Sequence, residues 1–212
     1  MSETNPTKIT IVDYEMGNLR SVAKMLSRLG ADIRVSSDAS DLDWADRLVL
    51  PGVGAFPDAI EKLGKLKLRD ALDKQVLNAG KPVLGICLGM ELFARSSSEV
   101  GMTEGLGWID AEIVPFERSS ELRVPHVGWN EIEICENTGL FEDVSNGASF
   151  YFVHSYHAQC KDSSIIAATV EYGGQVTAAI VHKNIWATQF HPEKSQRNGQ
   201  ILLANFISGD IG

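Results

Sequence analysis

The chain has 212 residues, 44% hydrophobic and 22% charged, which suits one globular α/β domain over residues 1–212 better than two. A formal charge of −9 with no Lys/Arg block argues against nucleic acid and against an anionic membrane surface as partners. Three cysteines with no C-x-x-C pair disfavour a disulfide framework or a metal site, and neither a signal peptide nor a membrane-length apolar run is present, so a cytoplasmic protein is expected.

Lys8 to Tyr14 (KITIVDY) is a β-branched run expected to form a buried first strand. From Asn18 to Leu29, Leu19, Val22, Leu26 and Leu29 share one helical face, and Gly30 is a stop signal. Strands are expected at Asp32 to Val35 and at Arg47 to Leu50, the latter ending in PGVGAF. A helical stretch then runs through Leu77 to Asn78-Ala79-Gly80, and Pro82 to Ile86 is the fourth strand. Strands separated by helical segments imply βαβ units and a parallel sheet, whose catalytic loops gather at the carboxyl ends of the strands. Tyr14 to Asn18, Gly52 to Phe56 and Gly85 to Gly89 lie at such ends. The second half is strand-rich: RVPHVGWNEIEI, SFYFVHSYHAQC, SIIAATVEY, QVTAAIVHK and NIWATQF, with Gly173-Gly174 as a hairpin signal. A final helix is expected from Asn198 to Ile207.

Within KPVLGICLGMEL, Cys87 stands between Gly85 and Gly89 where an apolar strand gives way to a helix. G-x-C-x-G repeats the logic of the G-x-S-x-G nucleophile elbow with sulfur for oxygen. A helix N-terminus there would favour a thiolate, and the Leu88 N–H would face a developing oxyanion. Cys135 and Cys160 lack this context and read as packing residues. Among five histidines, His191 is the candidate base. Pro192 biases it towards an extended backbone, and in an extended chain Glu193 lies on the same side as the ring. A carboxylate there fixes the tautomer and stabilises the imidazolium. A second oxyanion donor is expected from Gly52-Val53-Gly54, where glycines let backbone approach a ligand.

GICLG, PGVG and QFHPEKS together resemble class I (triad) glutamine amidotransferases over nearly the whole chain. DYEMGNLRSV (Asp13 to Val22), PHVGWN (Pro125 to Asn130) and YFVHSY (Tyr151 to Tyr156) are similar to the glutaminase subunits of imidazole glycerol phosphate synthases, enzymes of histidine biosynthesis. The resemblance implies a flavodoxin-like fold, a mainly parallel sheet with helices on both faces and an antiparallel extension. It implies that Cys87 attacks the glutamine carboxamide, that His191 serves as base and acid, and that Glu193 orients it. Backbone donors would be Val53, Gly54 and Leu88. Glutamine would lie among Gly52, Gly54, Ser155 and Tyr156, and Glu91 stands where the family usually has glutamine. No cofactor or metal is implied. The implied partner is a (βα)₈-barrel cyclase that receives the ammonia, with Asn18, Pro125, His126, Trp129 and Asn130 at the interface. Three alternatives stay open: a paralogue feeding another synthase such as one aminating a sugar, a cysteine peptidase or hydrolase of similar architecture, and an idle regulatory subunit.

Overall fold

The computed structural model describes residues 5–117, 122–136 and 138–209. Its first half is β1 (Lys8–Val12), α1 (Leu19–Arg28), β2 (Asp32–Ser36), α2 (Ala39–Trp44), β3 (Arg47–Gly52), α3 (Phe56–Lys65), α4 (Leu68–Asp73), β4 (Val83–Cys87) and α5 (Leu88–Leu92). The stretch read as one helical segment to Leu77 is divided. Lys67 takes a left-handed conformation, φ 55°, between α3 and α4, and α4 runs into a π turn at Lys74–Asn78. Burial of Leu63, Leu68 and Leu72 on one side draws both short helices onto the sheet despite the break.

The second half is β5 (Ser96–Ser97), β6 (Thr103–Glu104), β7 (Ala111–Pro115), β8 (His126–Ile134), β9 (Ser149–His154), β10 (Tyr156–Cys160), β11 (Ile166–Glu171), β12 (Gln175–His182), β13 (Ile185–Thr188) and α6 (Gln196–Ser208). The strand-like segment SFYFVHSYHAQC breaks at Ser155, and its halves join different sheets. The expected hairpin at Gly173-Gly174 is present, with both glycines at positive φ between β11 and β12.

Among the described residues, the larger sheet has the order β2-β1-β3-β4-β13-β12-β11-β8-β9, and a smaller one has the order β10-β7-β5-β6. Strands β2, β1, β3, β4 and β13 are parallel, and β12, β11, β8 and β9 extend the sheet antiparallel. Alternate residues of a buried strand serve opposite cores. Leu48 and Leu50 join Phe56, Leu63 and Leu68 on the face of α3 and α4, while Val49 joins Val22, Leu26 and Phe206 on the face of α1 and α6. This double-sided burial is why the inner strands read as unbroken apolar runs.

The register sets the site. Gly52 at the end of β3 pairs with Cys87 at the end of β4, and Ile86 pairs with Thr188 at the end of β13. Three chain segments far apart in sequence therefore emerge together at one edge of the parallel sheet.

Candidate active site

Cys87 closes β4 with φ 55° and ψ −112°, a strained conformation for a residue bearing a Cβ, at a cost of order 1–3 kcal/mol. The turn is held by close packing that only glycine permits. A Cβ at Gly89 would stand 1.7 Å from the Leu50 carbonyl oxygen, and one at Gly85 would stand 2.6 Å from the Phe93 ring. A Cβ at Gly52 would meet the Tyr14 hydroxyl at 2.2 Å. Sequence spacing thus becomes backbone geometry, and the thiol projects from the elbow into a cavity of about 300 Å³, at the small end of the roughly 300–1,000 Å³ of ligand pockets.

His191 and Glu193 line up as the extended backbone at His191 requires. His191 Nδ1 donates to Glu193 Oε1 at 2.9 Å, and both side chains are buried. The carboxylate can only accept, so the ring proton sits on Nδ1 and the lone pair on Nε2. That Nε2 has no hydrogen-bond partner among the described residues, and His191 lines the same cavity as Cys87. An oriented imidazole with a free acceptor is what a thiol needs in order to lose its proton.

The thiol itself is at rest. Its Sγ donates to the Val153 carbonyl at 3.7 Å, and burial pushes its pKa far above the ordinary thiol range. A hydrogen bond from the Leu88 backbone opposes this shift without overcoming it. The expected thiolate-stabilising helix terminus is weak here because α5 is only five residues long and the sulfur is desolvated.

The expected oxyanion donors divide. Leu88 N–H faces the sulfur. Val53 N–H donates instead to the Met16 carbonyl at 2.8 Å, so it is turned to the Tyr14–Asn18 segment rather than held free for an oxyanion. Gly54 follows at φ 109°, a conformation that glycine adopts without strain.

Of the expected substrate contacts, Gly54, Glu91, Ser155 and Tyr156 line the cavity, and Gly52 is buried beneath it. Glu91 is buried, accepts a hydrogen bond from Gln189 Nε2 at 2.8 Å, and is pushed up to about 8, chiefly by burial. It therefore stands as a neutral carboxylic acid at neutral pH, close in shape to the glutamine usual at this place, and in that form it does not repel a substrate carboxylate. Glu99, which no spacing in the sequence marked, also lines the cavity and accepts the Phe56 N–H at 2.7 Å. The role of Gln189 was likewise unmarked. It acts on Glu91 across a long sequence separation, where only the fold supplies a signal.

The residues expected at an interface are placed differently from one another. Trp129 is 46% exposed and Val127 55% exposed on one face of β8, so this tryptophan is not part of the core. Pro125 is exposed at the cavity, while Asn18 and Asn130 are half-buried. His126 corrects the expectation: it is buried on the opposite face of β8 and bonded within the protein, so its side chain has no surface to offer a partner.

Comparison with known proteins agrees with this geometry. A family model described as glutamine amidotransferase class-I matches residues 10–208, and the chain belongs to that family. Within it, the chain is similar to the imidazole glycerol phosphate synthase subunit HisH 1 of Campylobacter jejuni (strain RM1221), 47% identical over 199 residues that cover 94% of this chain and 98% of the relative. It is 45% identical over 203 residues to subunit HisH of Rhodopirellula baltica (strain DSM 10527 / NCIMB 13988 / SH1), covering 96% and 98%. In fold it is similar to the structure of PurLQS from Thermotoga maritima, with a TM-score of 0.71, 16% identity and coverage of 95% and 97%.

Proposed function

We infer that this protein is the glutaminase subunit of an imidazole glycerol phosphate synthase, acting as one cytoplasmic glutamine amidotransferase domain in histidine biosynthesis. The observation that carries the chemistry is the His191–Glu193 pair with its unpartnered Nε2 in the cavity of Cys87. His191 takes the thiol proton, and the sulfur attacks the carboxamide carbon of glutamine. The tetrahedral intermediate collapses as the imidazolium returns that proton to nitrogen, so ammonia leaves and a thioester remains. Water, deprotonated by the same ring, then attacks the thioester, releasing glutamate and restoring the thiol.

Substrate recognition follows from the lining. Glu99 and Glu91 suit the α-ammonium, and backbone and hydroxyl groups around Gly54, Ser155 and Tyr156 suit the α-carboxylate. Full oxyanion stabilisation needs Val53 N–H to leave Met16 O, a peptide rotation next to a side chain that is exposed. Each such donor is worth about 10²–10³ in kcat, so turnover is slow while the Val53 N–H stays on Met16 O. The exposed Val127 and Trp129 face suits docking of a (βα)₈-barrel cyclase, the receiver of the ammonia. Co-purification of the partner identifies the synthase that the subunit serves.

The central test uses a glutamine analogue with a leaving group in place of the amide. Labelling of Cys87, with Cys135 and Cys160 spared, and loss of glutamine hydrolysis in a folded Cys87→Ala variant are the expected results. A label on either other cysteine overturns the assignment.

A further inference from the structure

The histidines that the reaction does not use are organised. His126 and His154 face each other across the β8–β9 pair, and both are buried. His154 Nδ1 lies 2.7 Å from the Tyr156 carbonyl oxygen, His126 Nδ1 lies 2.9 Å from His154 Nε2, and Asn130 Nδ2 lies 2.8 Å from His126 Nε2. The direction of this chain follows from its last member. A carbonyl oxygen only accepts, so His154 carries its proton on Nδ1 and offers Nε2 as an acceptor. His126 must then donate from Nδ1, which leaves its Nε2 to accept from the Asn130 amide. Both rings are neutral in this arrangement, and burial lowers the pKa of His126 to about 4 and of His154 to about 3, in keeping with it. Packing fixes the rings as well: His126 is stacked between Tyr172 and Phe152, with ring centroids 3.8 Å and 4.7 Å away.

We propose that Asn130, His126 and His154 are a hydrogen-bonded positioning relay that holds the Ser155–Tyr156 wall of the glutamine cavity in place from strand β8. The relay ends on the carbonyl of Tyr156, the residue after Ser155, where the chain crosses from the larger sheet to the smaller one, and Val153, His154, Ser155 and Tyr156 all line the cavity. Val153, one residue before the relay, also supplies the carbonyl that receives the Cys87 thiol. Its other end lies next to Trp129, so the strand that presents the exposed tryptophan also sets the substrate wall. The proposal rests on the glutaminase reading for the identity of the substrate.

The test is Asn130→Asp, which keeps size and shape but removes the donor. A carboxylate facing His126 Nε2 requires a proton on that nitrogen. The relay must then reverse, setting the His154 Nδ1 lone pair against the Tyr156 carbonyl, or His126 must become an imidazolium. Nitrogen-15 spectra of the ring nitrogens are expected to show both histidines of the parent protonated at Nδ1 alone, and an altered His126 in the variant. In glutamine hydrolysis at saturating cyclase, KM is expected to rise about tenfold, the scale of one lost hydrogen bond, with a smaller change in kcat. His126→Gln, whose amide can both donate to His154 and accept from Asn130, is expected to keep the parental KM more nearly than His126→Leu. Unchanged ring nitrogens in Asn130→Asp overturn the relay, and so does an altered ring state with an unchanged KM. The spectra do not depend on turnover, so a parent that hydrolyses no glutamine refutes the glutaminase reading without being mistaken for a failure of the relay.

Discussion

Replacing Glu91 by Gln should make the protein more stable at neutral pH, by an amount that grows with pH in a defined window. In the unfolded chain this carboxyl has its ordinary value of 4.5, whereas burial in the fold pushes it up to about 8. Between those values folding takes up a proton, so stability falls as pH rises, by about 1.4 kcal/mol per pH unit from this group. At pH 7 the cost amounts to about 3 kcal/mol. Glutamine does not titrate, and its carbonyl oxygen can still accept from Gln189 Nε2, so the variant removes the cost and keeps the hydrogen bond. The measurement is denaturant unfolding of both proteins at pH 5, 6, 7 and 8. The variant's advantage should be small at pH 5, reach about 3 kcal/mol at pH 7 and level off above pH 8, and at pH 7 it corresponds to a rise in Tm of about 6–12 °C. All other titrating groups are common to the two proteins and cancel in the difference. A gap that stays constant from pH 5 to pH 8 would refute the argument, because it would mean that Glu91 ionises in the fold as it does in water.

His191→Ala should lower glutamine turnover by orders of magnitude, while Glu193→Gln should be milder, since an amide oxygen can still accept from Nδ1; steady-state kinetics of the two folded variants compares them. Gly89→Ala should cost about 3 kcal/mol or more in unfolding experiments, because its Cβ would stand 1.7 Å from a backbone oxygen that cannot step aside. Trp129→Ala should leave stability within about 1 kcal/mol, since the ring is half-exposed and makes one edge contact with Tyr151 at 6.0 Å. The same variant should weaken cyclase binding by about 2 kcal/mol or more in calorimetry and lower glutamine-dependent synthesis, with synthesis from added ammonium salt spared.

What could be read from the chain alone was whatever is enforced locally. Gly85, Cys87 and Gly89 announce an elbow because a strand-to-helix turn that tight excludes Cβ atoms two residues to either side, a constraint written within five positions. His191 and Glu193 announce a pair because an extended backbone turns alternate residues to one side, and the inner strands announce a two-sided sheet because both their faces are buried. Contacts between distant segments leave no such mark. Glu99 reaches the cavity, Gln189 reaches Glu91, and His126 reaches His154 only through strand order and register. The break at Ser155 has no local cause, because the residues on both sides of it favour strands and it is the sheets that differ. Even the PGVG loop, legible as a place where backbone approaches a ligand, did not disclose which way its Val53 N–H points. The rotation of one peptide is decided by which carbonyl lies within reach, here that of Met16, and that is a property of tertiary structure alone.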